Sequence, residues 1–197
     1  MASDAIAVGR ALLGERFALV GESMGGMAAL HAALTYPGAV AALGLLATTA
    51  GGRGLTWPTD AFIAAATHGG GIFDKGQARD GLAVGVSRQF RTEQPALFEA
   101  MAEANMTQAS SDHIGAAQAS VFLNHDIAER LSEFHVPVLV MCGTEDQAHP
   151  LANSRFLASN IPGARLVALD GVGHIIHAEE PRRVIDEITR MTLEADV

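Results

Sequence analysis

The sequence predicts an α/β fold in which about four parallel strands are flanked by helices, with a helical insertion in the middle of the chain. Short apolar runs alternate with helical stretches before residue 48 and after residue 132. Between those points helical stretches follow one another, and no convincing strand pattern occurs. The 197 residues are 49% hydrophobic and 18% charged, which is typical of a folded chain that buries a core of its own.

The N-terminal part of the chain predicts two helices and two strands. The first helix is predicted to use Ser3 as its N-cap and to stop at Gly14. In chain order, the predicted elements are a helix over 3–13, a strand over 17–20, a helix over 24–35 and a strand over 40–46. Two strands joined through a helix indicate a parallel pair with a right-handed crossover.

The insertion contains four predicted helices, and the alternation of strands and helices resumes after it. The inserted helices are predicted near residues 59–67, 75–90, 94–105 and 112–123. The later elements are a strand over 136–141, a helix near 150–160, a strand over 165–169 and a closing helix from about Ala178. The sheet is therefore expected to be interrupted in sequence by the insertion but continuous in space.

Charge and composition exclude several classes of function. A formal net charge of −9 argues against nucleic acid or an anionic membrane surface as a partner, because both need clustered Lys and Arg. Cys142 is the only cysteine, which excludes an intrachain disulfide and a cysteine-based metal site. The sequence shows no signal-peptide pattern and no apolar run of about 20 residues. We therefore expect a soluble cytoplasmic protein without a metal or cofactor.

A candidate nucleophile lies at the end of the first predicted strand. Gly21-Glu22-Ser23-Met24-Gly25 matches the G-x-S-x-G pattern, in which a serine occupies a sharp turn between a strand and a helix. The pattern is weak by itself, but here an apolar strand enters it and an Ala-rich helix leaves it. The hydroxyl of Ser23 is expected above a helix N-terminus, where backbone N–H groups favour developing negative charge.

A serine hydroxyl is a weak nucleophile near neutral pH, so it needs a base that an acidic residue orients. Asp146 follows the strand predicted over 136–141, and His174 follows the strand predicted over 165–169. Because the carboxyl ends of parallel strands meet at one edge of a sheet, both residues are predicted to lie near Ser23. The order serine, acid, histidine is the one found in the fold that uses the G-x-S-x-G turn.

These residues resemble the α/β-hydrolase superfamily over nearly the whole chain. Gly143-Thr144-Glu145-Asp146 followed by Pro150 is similar to its acid loop, and Gly171-Val172-Gly173-His174 followed by Glu179-Glu180-Pro181 is similar to its histidine loop. Both loops look most like the branch of 3-oxoadipate enol-lactone hydrolases, small esterases and cofactor-free haloperoxidase-like enzymes. The resemblance implies a core of residues 1–50 and 133–197, a helical cap of residues 51–132, and the backbone N–H of Met24 as an oxyanion donor.

Neighbouring residues are alternatives for the acid and the base. Glu145 adjoins Asp146, and His177 lies three residues after His174; the family pattern favours Asp146 and His174. Asp126 is predicted to cap a short helix. The other six of the eight histidines fit no zinc spacing and are predicted to be surface or loop residues: His31, His68, His113, His125, His135 and His149.

The resemblance also implies a truncated fold. The family normally places several more strands before the nucleophile, whereas only 22 residues precede Ser23 in this sequence. The missing part would include the loop that supplies the second oxyanion N–H, and losing one donor costs on the order of 10²–10³ in rate in a well-studied protease. His68-Gly69-Gly70-Gly71 is similar to the oxyanion phrase of lipases, but it follows the serine, and we expect a helix end and a loop there instead.

Without those strands, the strand over residues 17–20 would have an open apolar edge, which a stable chain must cover. We expect a homodimer that joins two such edges into one continuous sheet. The alternatives are a second, unlike chain that supplies the lost strands, or a laboratory fragment.

The predicted activity is hydrolysis of a small carboxylic ester or lactone. Ser23 would attack the carbonyl, His174 would carry the proton and Asp146 would orient the imidazole. Two other functions use the same residues: a non-catalytic or partner-dependent remnant of the fold, and carbon–carbon bond hydrolysis or perhydrolysis. The candidates for an acyl pocket, equally explained as core of the cap, are Trp57, Phe62, Phe73, Phe90, Phe98 and Phe122.

Overall fold

Four parallel strands form one sheet in the computed structural model, which describes residues 1–67, 78–107 and 112–195. The strands lie side by side in chain order, so the predicted α/β class and number of strands are confirmed. Their bounds are β1 (Phe17–Glu22), β2 (Val40–Leu46), β3 (Val138–Gly143) and β4 (Arg165–Leu169). Leu46 lies beside Glu22 on one side and beside Met141 on the other, which aligns the carboxyl ends of the first three strands.

The helices flank this sheet and fill the long connection between β2 and β3. Those before β3 are α1 (Ala2–Leu13), α2 (Met24–Thr35), α3 (Asp60–Thr67), α4 (Ala78–Gly85), α5 (Arg88–Glu93), α6 (Pro95–Thr107) and α7 (Asp112–Asn124). Those after it are α8 (Leu151–Asn160), α9 (Ile176–Glu179) and α10 (Pro181–Glu194).

Several local predictions need correction. The strand predicted over 136–141 runs over Val138–Gly143, and the described part of the single helix predicted near 75–90 is divided between α4 and α5. The helix α1 begins at Ala2 with Met1 as its N-cap, so the prediction that Ser3 caps it was wrong. The strand β1 continues two residues beyond the predicted end, because Gly21 and Glu22 still pair with β2. The single closing helix is in fact two, α9 and α10. Pro181 has no backbone N–H, so it begins a new helix instead of continuing the earlier one.

Apolar side chains cover both faces of the sheet. Leu43 and Leu45 of β2 point to the face that packs against α1, α2 and α8, whereas Ala42 and Leu46 point to the face that packs against α9 and α10. Successive residues of a strand point to opposite faces of the sheet, so the residues of β2 alternate between two cores. Because β2 is buried along its whole length, these residues are apolar on both sides.

The helices between β2 and β3 have a small core of their own. Phe90 and Phe98 are buried with Leu82, Val86 and Ala102, which identifies both phenylalanines as core of this region and not as pocket residues. The prediction that Asp126 caps a short helix was wrong by one residue, since Ile127 is the N-cap of the 3₁₀ helix Ala128–Glu133. The carboxylate of Asp126 nevertheless accepts a hydrogen bond from the N–H of Ala128. Phe73 and the sequence His68-Gly69-Gly70-Gly71 lie outside the described residues.

The strand β1 has a neighbour on one side only within the part of the chain that the structure describes. Its Val20 is 37% exposed, although valine favours burial. Across the described ranges, no helix is both long enough and apolar enough to span a bilayer.

Candidate active site

The candidate nucleophile occupies a strained turn between β1 and α2. Ser23 has backbone angles φ 53° and ψ −122°, a region that residues other than glycine rarely adopt. Its N–H donates to the carbonyl of Leu46 at 2.8 Å, and the hydroxyl of Thr48 donates to the carbonyl of Ser23 at 2.7 Å. Both partners come from the end of β2 and the segment after it, so the neighbouring strand holds the serine at the carboxyl edge of the sheet.

Two glycines beside Ser23 leave room for this turn. A Cβ on Gly21 would lie 2.2 Å from the carbonyl oxygen of Gly25, and a Cβ on Gly26 would lie 2.6 Å from the Cβ of Thr48. Cβ atoms do not approach other atoms so closely, so the contact of β1 with α2 requires Gly21, and the contact of α2 with the segment after β2 requires Gly26. Gly25, by contrast, has open space where a side chain would be.

The loop after β3 holds Asp146. The Oδ1 atom of Asp146 accepts hydrogen bonds from the backbone N–H groups of Ala148 and His149, both at 2.8 Å. Its Oδ2 lies 2.9 Å from Nδ1 of His174, and the carboxyl group is fully buried. Because a carboxylate only accepts, this contact selects the tautomer of His174 that has its proton on Nδ1.

His174 connects the acid to the serine. Its Nε2 lies 3.1 Å from Oγ of Ser23, so the hydroxyl donates to the unprotonated nitrogen. Burial disfavours the charged imidazolium, but the hydrogen bond to Asp146 and the negative charges of Asp146 and Glu22 outweigh it. The pKa of His174 is therefore raised above its usual value, which suits a group that must accept a proton.

Hydrogen bonds join the segment that contains His174 to the helices between β2 and β3, which we call the helical region. The backbone N–H of His174 donates to the carbonyl of Gly85, the last residue of α4, at 2.9 Å. The carboxylate of Glu179 accepts from the N–H of Ser87 at 3.1 Å and from that of Gly173 at 3.0 Å. Because these bonds join residues 85–87 to residues 173–179, the position of the helical region and the position of the imidazole are coupled.

The alternatives for the acid and the base lie apart from this series of hydrogen bonds. Glu145 is exposed. The imidazole of His177 is more than half exposed, and its Nδ1 lies 2.5 Å from Oε2 of Glu22. The structure thus places His174 against the serine hydroxyl and Asp146 against His174. Neither Glu145 nor His177 takes part in these two hydrogen bonds. The contact between Glu22 and His177 has no counterpart in the sequence analysis, since nothing in the local pattern pairs them.

A row of aromatic rings begins beside the imidazole of His174. The ring of Phe62 lies 6.4 Å from it between centroids, and the ring of His149 lies 5.5 Å from it. His149 is 5.8 Å from the ring of Phe122, which in turn is 5.9 Å from the ring of Trp57. We call these four side chains, Trp57, Phe62, Phe122 and His149, the aromatic wall.

Two histidines that were predicted to be surface or loop residues are buried. Both lie in loops, as predicted, but neither is at the surface: His149 is 4% exposed and His125 is 5% exposed. Burial lowers the pKa of His149 to about 4, and the positive charge of His174 contributes to the lowering. His31 and His135 are exposed as predicted, whereas His68 and the side chain of His113 lie outside the described residues.

Met24 is the first residue of α2, and the N–H groups in the first turn of a helix have no acceptor within the helix. Its predicted role as an oxyanion donor stays a prediction. Among the described residues, no three His, Cys, Asp or Glu side chains are grouped so that they could hold a metal ion.

Comparison with curated proteins identifies relatives. The chain is 31% identical to a pimeloyl-[acyl-carrier protein] methyl ester esterase of Aromatoleum aromaticum, over 86% of this chain and 72% of that protein. It is 28% identical to a putative 2-succinyl-6-hydroxy-2,4-cyclohexadiene-1-carboxylate synthase of Bacillus subtilis, over 83% of this chain. The chain spans only 61% of the length of that Bacillus protein.

Solved structures share the fold. An enzyme described as degrading N-acyl homoserine lactones is 31% identical with a TM-score of 0.75, over 96% of this chain and 72% of the other. A thermophilic esterase from Thermogutta terrifontis has a TM-score of 0.79 at 23% identity, over 100% of this chain and 72% of the other.

These matches include esterase-like proteins, but they give no support to the 3-oxoadipate enol-lactone hydrolase branch. The profile of the alpha/beta hydrolase fold family matches residues 1–181, which is most of the chain. Together with the parallel sheet, this match shows that the chain belongs to the α/β-hydrolase fold family.

Proposed function

We propose that this chain is a serine hydrolase that cleaves small carboxylic esters or lactones through an acyl-enzyme on Ser23. One observation supports the proposal most directly: Asp146, His174 and Ser23 form an unbroken series of hydrogen bonds of 2.9 and 3.1 Å. A carboxylate, an imidazole and a hydroxyl in that order are the groups that acyl transfer through serine requires.

Acylation follows from this geometry. The Oγ atom of Ser23 attacks the carbonyl carbon while its proton passes to Nε2 of His174, and the carbonyl π electrons move onto the oxygen. The N–H of Met24 is the proposed donor to that oxyanion. When the tetrahedral intermediate collapses, the bond to the alkoxy oxygen breaks, and His174 returns its proton to the departing alkoxide.

Deacylation repeats these steps with water. His174 removes a proton from a water molecule that attacks the acyl carbon, and the imidazolium then protonates Oγ of Ser23 as the acid leaves. Asp146 stabilises the imidazolium in both halves through its hydrogen bond to Nδ1. The backbone bonds from Ala148 and His149 fix the carboxylate while this charge forms.

The substrate class is proposed from the site and from the relatives. Two of the relatives are named for a methyl ester and a lactone, both of which have a carbonyl carbon attached to a heteroatom. The aromatic wall would contact an apolar acyl or alkoxy group beside His174. We therefore propose small, uncharged esters and lactones as substrates.

A second copy of this chain is the proposed partner. Within the described residues the outer edge of β1 lies unpaired beside the partly exposed Val20, so two copies could join these edges into one sheet. Light scattering of the purified chain should give the mass of a dimer, and Val20→Lys should lower it to that of a monomer. A wild-type chain of monomer mass would contradict the proposal.

The cytoplasmic location expected from the sequence stays a prediction.

Release of p-nitrophenol from p-nitrophenyl acetate tests the proposed reaction. Wild type should show a burst that matches the enzyme concentration, followed by slower turnover, because the acyl-enzyme forms faster than water removes it. Ser23→Ala should show only the uncatalysed rate. Equal rates for both variants would contradict the proposal and favour a non-catalytic member of the family.

A further inference from the structure

Glu22 lies directly before Ser23, and its carboxyl group has few partners. It is the last residue of β1, and its side chain is only 24% exposed. Its Oε2 lies 2.5 Å from Nδ1 of His177. Its Oε1 is buried and has no hydrogen-bond partner in the described part of the chain. The hydrogen bond from His177 is therefore the contact that orients this carboxyl group.

His177 belongs to the segment that contains the proposed base. It lies in α9, three residues beyond His174, and its imidazole is 59% exposed. Its bond to Glu22 joins α9 to the end of β1, which is one residue from Ser23. The two segments that contain Ser23 and His174 are thus joined twice: through those side chains themselves, and through the pair beside them.

Charged groups from several elements face this pair and the proposed base. Asp146, after β3, bonds to His174, and His177 of α9 bonds to Glu22. His149, before α8, is uncharged near neutral pH because burial lowers its pKa to about 4. Burial raises the pKa of Glu22, and the charges of His177 and His174 oppose that rise. The negative charge of Glu22 in turn favours the protonated form of His174.

We infer that Glu22 and His177 are positioning residues for the proposed reaction. Their hydrogen bond holds the segment of His174 at the distance from Ser23 that proton transfer needs. The carboxylate of Glu22 also places a second negative charge near the imidazolium that forms during the attack, beside that of Asp146. This inference rests on the proposed function, because it assigns roles around the same serine and histidine.

Substitutions can separate the effect of the charge of Glu22 from the effect of its hydrogen bond with His177. Glu22→Gln keeps an oxygen that accepts from His177 but removes the charge, so the pKa of His174 should fall measurably. His177→Phe keeps a ring but removes the donor, so kcat should fall about 10-fold with KM little changed. His177→Asn offers an amide N–H in place of Nδ1 and should restore part of the rate. His135→Phe is the matched control, because His135 is exposed and precedes β3, at the opposite edge of the sheet.

Two measurements on the full chain test the inference. The pKa of His174 is followed by NMR titration, with its signal assigned by His174→Gln, and kcat is followed with p-nitrophenyl acetate. The titration needs no turnover, so the two proposals can fail separately. A wild type that hydrolyses no ester would contradict the proposed function. A lowered pKa of His174 in Glu22→Gln would still support the electrostatic role of Glu22. An unchanged pKa of His174 in Glu22→Gln, or a kcat of His177→Phe equal to that of His135→Phe, would overturn the inference.

Discussion

The imidazole of His149 packs against that of His174 with the ring centroids 5.5 Å apart, and its buried Nδ1 has no hydrogen-bond partner among the described residues. A second positive charge in this place would oppose the imidazolium that the proposed mechanism forms at His174. Burial, followed by the charge of His174, keeps His149 neutral by lowering its pKa from 6.5 to about 4. The site therefore contains two adjacent histidines whose pKa values are shifted in opposite directions, that of His149 downward and that of His174 upward.

The lowered pKa of His149 in the folded chain predicts that the stability of the fold depends on pH. The unfolded chain protonates His149 below pH 6.5, whereas the folded chain does so only below about pH 4, so stability should fall as the pH is lowered through that window. The full effect corresponds to about 3 kcal/mol. Urea unfolding at several pH values should show a smaller pH dependence in His149→Phe than in wild type. His135→Phe should keep the wild-type dependence, and an unchanged dependence in His149→Phe would contradict the assignment.

Asp146→Asn should lower kcat/KM by about 10³–10⁴, because an amide can select the wrong tautomer of His174 and leaves the imidazolium without its counter-charge. His174 must be neutral to act as the base, so activity should be lost as the pH falls through its raised pKa. Removing the carboxylate should lower that pKa and move the acidic limb of the profile to lower pH. Glu145→Gln is the control, since Glu145 is exposed, and equal losses in the two variants would argue against Asp146 as the acid.

The two glycines of the G-x-S-x-G pattern should differ in their tolerance of alanine. Gly21→Ala would place a Cβ 2.2 Å from the backbone of Gly25, so it should cost about 1–3 kcal/mol of stability and disturb Ser23. Gly25→Ala meets no atom and lies in α2, so it should be neutral or slightly stabilising. Thermal unfolding of both variants tests this contrast, and a Gly21→Ala protein as stable as wild type would contradict it.

Glu179→Ala should weaken the link between the helical region and the histidine loop. It leaves the N–H groups of Ser87 and Gly173 without their acceptor, at a cost of about 1–3 kcal/mol if water cannot replace it. Because Gly173 adjoins His174, kcat should fall as well. Glu180→Ala removes an exposed carboxylate one residue away and should leave both stability and kcat close to wild type. If the two variants behave alike in unfolding and hydrolysis assays, the coupling is absent.

Sequence reasoning recovered the elements whose signal is local. Apolar runs identified all four strands, and the loops that follow three of them contain Ser23, Asp146 and His174. Each strand ends within two residues of the end of its apolar run, and parallel pairing then brings these loops to one edge of the sheet. Ser23, Asp146 and His174 are therefore predictable as neighbours from the sequence, since each lies in a loop directly after an apolar run.

The contacts that sequence reasoning missed join residues far apart in the chain. Glu22 with His177, and Glu179 with Ser87, are pairs in which neither partner lies in a pattern that points to the other. The contact of His149 with Phe122 likewise joins a loop after β3 to the helical region. Such contacts arise from packing between elements, which the periodicity of a single segment does not report.

Mass spectrometry of the intact chain after reaction with a fluorophosphonate tests the central claim most directly, because this reagent phosphonylates an activated serine hydroxyl far faster than an unactivated one. Wild type should gain the mass of a single phosphonyl group, and peptide fragmentation should place it on Ser23. Ser23→Ala should remain unlabelled, and His174→Gln should react far more slowly because the hydroxyl loses its base. A wild-type chain that stays unmodified, or an adduct on any other residue, would contradict the assignment of Ser23 as the nucleophile.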